Sequence, residues 1–324
     1  MSNGTSIAAI KLSPKSIDWA KVVLGIAVLG LIYYAYFVQV VEAHPDSKLS
    51  CYQWLTSHWT NISNYSHGPL IPLIAIALVW WKWAEVSTAG IEPFPGGVAV
   101  VAGAMAVYYV GVKAVQPRVV VFSFVLLLYG LTLTLGGRRL FRQLFFPITF
   151  LLLMIPLNFL DEKVGFPLRM MVTQASTALL NWFGIPTVRR GTAIYSAVFH
   201  FDVADPCSGI RSLMALTTVT AAYGYVTQRV QWKRWVLFLS AMPLAVLGNM
   251  ARVTSIALVA QVYGQELASK TYHEYSGYIV FGVALSTMVI IGLVLNFPYH
   301  RVFQNWLKPP ADRGPRDDEL LPPA

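Results

Sequence analysis

The sequence predicts an all-α polytopic membrane protein of about eight transmembrane helices, with an extracytoplasmic amphipathic helix and a short β segment just before the sixth span. Three observations carry this reading. Over 324 residues, hydrophobic side chains make up 56% and charged ones only 12%, about half the ~25% charged fraction of a soluble domain. The mean hydropathy is +0.56, and apolar runs long enough to cross a bilayer as helix recur along the chain. The net charge of +9 sits in short segments between those runs. That distribution fits membrane topology and argues against nucleic acid as a partner.

The elements follow in order. The first apolar run, 20–41, has no small-residue cleavage site behind a short core and reads as a retained helix. Residues 1–19 then form a cytoplasmic N-terminal segment, and 20–297 the integral membrane domain. Further spans are expected at 67–84, 97–116, 119–135, 143–160, 208–227, 235–263 and 277–297. With the N-terminus in the cytoplasm, fourteen of the 24 Lys and Arg residues fall inside and eight outside, the latter over longer loops. The dense clusters GRRLFR and QRVQWKRW both fall inside, which sets the orientation. The Pro-rich, charged segment 298–324 reads as a disordered cytoplasmic tail.

Two stretches do not fit the spanning pattern. Along 164–184, Leu168, Met171, Ala175, Leu179 and Trp182 recur at helical spacing, with Arg169, Thr173, Ser176 and Thr177 mostly opposite. That is the signature of a helix lying in the membrane interface rather than crossing it. Ala193–Asp202 (AIYSAVFHFD) is rich in β-branched and aromatic residues and reads as an extended strand or hairpin.

Chemistry-bearing residues converge on the outer face. The two cysteines, Cys51 and Cys207, exclude a disulfide scaffold. Cys207 sits in DPCSGIRS at the outer start of the sixth span. Asp205 suits a cap and Pro206 a first turn, so the thiol falls where helix N–H groups favour a thiolate. Gly209 leaves room for a substrate backbone. Arg252, in GNMARVTS, lies about 26 Å along the seventh span from Trp235 at ~1.5 Å per residue, near the outer interface. His273, in KTYHEYSGY, precedes the eighth span. A cysteine nucleophile, a histidine to move protons and an arginine to stabilise an oxyanion make a set for acyl transfer.

Plainer readings stand beside these. A lone cysteine is more often a small apolar filler, and Cys51 and Cys207 are both placed where a disulfide would form. Arg211 anchors a carboxylate or pairs with Asp205. His67 is as well read as a structural histidine at a helix start. Cys207, His273 and His67 match no compact zinc spacing, and no metal or cofactor is predicted.

Taken in order, Cys-Ser-Gly-x-Arg at 207–211, Asn-x-x-Arg at 249–252 and a histidine before the last span resemble the exosortase/archaeosortase family. So does Tyr65-Ser66-His67-Gly68-Pro69-Leu70-Ile71-Pro72 leading into the second span. The likeness covers roughly residues 50–295. It implies a cysteine transpeptidase or protease of the bacterial inner membrane, active on its outer face. Its substrates would be exported proteins whose C-terminal sorting signal joins a short motif, a transmembrane helix and a basic tail, as in PEP-CTERM proteins. The acceptor would be a lipid or glycan. By motif, Cys207 is the nucleophile, Arg252 the oxyanion or substrate-positioning group and His273 the general acid/base. Gly209, Arg211, His67 and Asn249 are the substrate-binding candidates. The competing classes are a polytopic transporter and a structural subunit of an exopolysaccharide export system. A transporter is expected to carry repeats or mid-bilayer charges, and neither is visible.

Overall fold

Alternating apolar runs and turn signals fold into a helical chain with two small sheets. The computed structural model describes residues 19–44, 47–60, 65–157, 161–203 and 210–298. Residues 1–18, the tail from 299 and the Ala204–Gly209 segment with Cys207 lie outside the described residues. The fold is an all-α membrane architecture.

The first helix, α1 (Trp19–Tyr33), closes in a π turn, Tyr34–Val38, and stops short of the expected 41. The β-branched and polar alternation after Gln39 favours extended chain. It forms β1 (Val40–His44) and, after a turn, β2 (Ser47–Ser50), paired antiparallel. Neither strand was foreseen, nor was α2 (Cys51–Ser57). Its start is a capping box. Ser50 Oγ accepts from Gln53 N at 3.3 Å and Gln53 Oε1 accepts from Ser50 N at 3.0 Å.

The second span is α3 (Leu70–Trp81), 12 residues or about 18 Å, continued past Lys82 by α4 (Trp83–Thr88). The next two spans are α5 (Gly97–Lys113) and α6 (Pro117–Leu131), and α7 follows at Gly137–Phe150. Helical hydrogen bonding runs nearly unbroken from Pro117 to Met154, yet this is two helices. Tyr129 touches Phe141, Phe145 and Thr149, whereas residues 129 and 149 of one straight helix would lie about 30 Å apart. The reversal turns on Gly137, whose φ of +84° puts its α-hydrogen against Glu92 O, where a Cβ would stand at 1.8 Å. Arg138 and Arg139, expected in a loop, therefore sit in the first turn of α7. They hold the preceding segment, Arg138 over the Phe94 ring at 4.2 Å and Arg139 to Glu92 at 3.3 Å.

The ambiguous stretch is a helix, α8 (Phe166–Trp182). Its hydroxyl stripe turns inward. Thr173 and Ser176 are fully buried, and Ser176 Oγ donates to Met250 O at 3.4 Å, while Met171 and Trp182 are 51% and 78% exposed. Leu168, Val172 and Leu180 are buried along with the hydroxyls, so the inward face is mixed and only part of the predicted apolar stripe faces out. After α8 come β3 (Val188–Arg190), β4 (Ala193–Tyr195) and β5 (His200–Asp202), an antiparallel sheet in that order. The expected 193–202 element is its β4–β5 hairpin, and β3 is an addition.

The last third is α9 (Ile210–Thr227), α10 (Gln231–Tyr263), α11 (Gln265–Leu267), a π turn Ala268–Tyr272, and α12 (His273–Asn296). Gly264, at φ +90°, ends α10 and returns the chain so that α12 packs along it. One apolar core joins α8, the sheet and α10 through Val172, Leu180, Ile194, Phe199, Val253 and Ile256. It fixes the end of α10 that carries Arg252.

Candidate active site

Arg252 and His273 meet because α12 starts where α10 is still in reach. Arg252 Nη2 stands 3.3 Å from His273 Nε2 and donates to His273 O at 3.0 Å. Arg252 Nε donates to Ser276 Oγ at 3.3 Å, and Ser276 Oγ in turn donates to His273 O at 2.9 Å. Among the described residues no carboxylate pairs with Arg252. Its charge is fixed in direction by neutral acceptors and is available to an anion.

The geometry also sets the histidine. A guanidinium has donors and no acceptor, so Nε2 must be the accepting nitrogen and a neutral ring carries its proton on Nδ1. The lone pair a base would use is thus turned toward Arg252. Gly277, one turn on from His273, faces the guanidinium, and a Cβ there would meet Nη2 at 3.3 Å and Cζ at 3.4 Å.

Asn249 is 5% exposed, one turn before Arg252, and lines the same narrow cleft as Arg252, Gly277 and Ser212. Ser212 belongs to the first turn of α9, so that helix begins against the Arg252 flank. Arg211 is half-buried beside it. Cys207 and Gly209, just upstream, lie outside the described residues.

His67 sits on a different flank. Its ring stacks on Tyr65 at 5.5 Å, in the turn before α3. Tyr65 OH accepts from Leu157 N at 2.9 Å and reaches Met214 Sδ on α9 at 3.9 Å. Ser212 and Met214 point about 200° apart at ~100° per residue. The start of α9 is therefore flanked by the Arg252–His273 pair on one side and the Tyr65–His67 turn on the other. Ser276 and Gly277 are participants sequence reading passed over, and Tyr65 was noted only as part of its motif. Ser276 and Gly277 had a signal, being three and four residues after His273 on one helix face.

The second cysteine is chemically quiet. Cys51 is a free thiol, 4% exposed, on the wall of an apolar cavity of about 470 Å³ with Tyr36, Trp59 and Met154. Burial pushes its pKa up to about 12. Among the described residues, no three His, Cys, Asp or Glu side chains gather as a metal site.

The model of the transmembrane exosortase family matches residues 59–290, most of the chain. The chain belongs to the transmembrane exosortase family. The match takes in His67, Cys207, Asn249, Arg252 and His273 of this exosortase and leaves Cys51 out. No curated protein and no solved structure matches it.

Proposed function

We propose that this exosortase is a cysteine transpeptidase of the bacterial inner membrane, acting on its outer face with both termini in the cytoplasm. It cleaves the C-terminal sorting signal of exported proteins and transfers them to a lipid or glycan acceptor. The observation that supports this best is the Arg252–His273 pair beside the first turn of α9, the helix that Cys207 precedes by three residues in the chain.

The chemistry follows from those groups. His273 Nε2 takes the Cys207 thiol proton, the thiolate adds to the scissile carbonyl, and Arg252 donates to the oxygen as it becomes an anion. The carbon–nitrogen bond breaks, His273 gives a proton to the departing amine, and a thioester remains. The acceptor's nucleophile loses its proton to His273, displaces the thiolate and completes transfer. Arg252 and His273 are poised for a linked change. When a substrate oxygen draws the guanidinium away from Nε2, the same movement releases the lone pair that takes up protons. Gly209, Arg211, Asn249 and His67 are the proposed substrate-binding residues.

The test is to trap the intermediate. The protein is incubated with an exported substrate carrying the motif, helix and basic tail. A hydroxylamine-sensitive adduct should form on the wild type and be absent from Cys207→Ala at equal abundance in the membrane. Processing that survives Cys207→Ala sinks the proposal and moves the protein toward the export-subunit class.

A further inference from the structure

The far end of α10 carries a second cavity. Arg234 lies eighteen residues before Arg252 on this helix, about 27 Å away at ~1.5 Å per residue. Here a space of about 620 Å³ opens between α7, α9 and α10. Its walls are mostly aromatic and aliphatic, including Phe146, Trp235 and Phe238. Its polar rim carries Lys82, Arg142 and Arg234, from three separate parts of the chain, and no carboxylate lines it. Arg142 belongs to GRRLFR and Arg234 to QRVQWKRW. Two clusters that a linear reading spends on orientation are brought around one space.

Two of the cations, Lys82 and Arg234, are held in place. Tyr225 stacks flat on Phe146, ring centroids 3.9 Å apart and 7° between planes. The Lys82 ammonium stands 5.3 Å and the Arg234 guanidinium 5.0 Å from the centre of that same tyrosine ring. Arg234 Nε donates to Gln228 O at 2.8 Å and Nη1 reaches Gln231 Oε1 at 3.4 Å. Gln228 is itself buried and donates to Gly292 O at 3.3 Å. Lys82 has Glu85 at 3.1 Å, but among the described residues Arg142 and Arg234 pair with no carboxylate. Neutral acceptors thus fix the direction of Arg234 and leave its charge uncompensated. Like charges brought together in this way repel unless an anion joins them.

We infer that this cavity binds the phosphate of an acidic membrane lipid, with Arg142, Arg234 and Lys82 on the headgroup and the hydrocarbon chain along Phe146 and Phe238. A guanidinium matches a phosphate with paired donors. Basic pockets between helices at the cytoplasmic side are where anionic headgroups are recognised, and the Lys and Arg distribution assigns this end to the cytoplasm. An apolar wall directly below the cations favours a lipid over a soluble anion.

The experiment uses the full chain in a neutral detergent, titrated with phosphatidylglycerol or phosphatidylcholine of equal chains and read by native mass spectrometry. Phosphatidylglycerol should bind at least tenfold more tightly. Arg142→Gln should weaken it about fivefold, the value of one basic residue against an anionic lipid surface, and R142Q/R234Q more than tenfold. R142K/R234K should fall between wild type and R142Q/R234Q, since it keeps the charge and loses the fork. Because Arg234 is tied into the fold, the exposed Arg142 carries the test if R234Q does not accumulate. Equal binding of the two lipids overturns the inference, as does an Arg142→Gln protein that binds like wild type. Displacement of the lipid by millimolar inorganic phosphate makes this a free-anion site and overturns it too.

Discussion

Replacing Arg252 with lysine keeps the charge and removes the fork. Arg252 reaches Ser276 through Nε and His273 through Nη2, the latter to both ring and carbonyl. One ammonium at the end of a flexible stem cannot hold both directions. A hydrogen bond from a charged group is worth about 1.5–3 kcal/mol, so losing one or two comes to roughly 3 kcal/mol, or about 100-fold in rate at ~1.4 kcal/mol per tenfold. Removing an oxyanion donor costs a similar ~10²–10³-fold. Arg252→Lys should therefore lower single-turnover acylation by about 100-fold or more with Cys207 present. Substrate affinity, measured separately in Cys207→Ala, should change by less than about fivefold, because the oxyanion exists only along the reaction path. An acylation rate within about threefold of wild type refutes the argument. An equal fall in affinity refutes it differently, by making Arg252 a ground-state grip on the sorting motif.

Four further outcomes are expected. Gly277→Ala places a methyl 3.3 Å from Arg252 Nη2 and should slow acylation about tenfold by the misplacement argument, with normal membrane abundance. A rate like wild type would mean the guanidinium is not fixed from that side. Cys51→Ala should leave processing intact, since a thiol held at about 12 is protonated and inert at neutral pH. A membrane-impermeant maleimide on spheroplasts should label Cys207 and not Cys51, and labelling of Cys207 only after lysis would reverse the orientation. His273→Gln should reduce acylation by ~10²–10⁴-fold at neutral pH. Full recovery at high pH would confine His273 to ionising Cys207, and an unchanged rate would remove it from the mechanism.

What the sequence carried well was everything with a long period or a costly residue. Apolar runs located most helices to within a few residues, apart from 20–41, where the β-branched stretch after Gln39 leaves the helix for a hairpin, and 143–160, where the helix runs from Gly137 to Phe150. Arg252 stood out because an arginine in a span is expensive, and the structure brings it to His273. What was hidden depends on contacts across the fold. The face of α8 could not be chosen from its own pattern, because the same amphipathic stripe serves whether water, lipid or protein covers the apolar side. The reversal at Gly137 needs Glu92, 45 residues away, to make sense of the arginines after it. The cavity between α7, α9 and α10 joins residues from 82 to 238, a convergence no local spacing encodes. His67 was grouped with Arg252 and His273 by motif, yet stands on the other side of α9.

The side chain of Gln265 adds a polar clasp between two parts of this chain that already share an apolar core through Ile194, Phe199 and Ala268. Its amide donates to His200 O at 2.9 Å and accepts from His200 N at 3.3 Å, completing the outer margin of β5 as a further strand would. Ordinary sheet growth by an extended peptide is therefore blocked at that margin, leaving β3 as the open side. The same glutamine lies in the short link between α10 and α12, eight residues ahead of His273. The hairpin and the strut on which the imidazole is mounted are thus joined by this clasp as well as by the apolar core. A Gln265→Ala protein would free that margin of β5 for a further strand, while the shared core keeps the hairpin beside the segment that carries His273.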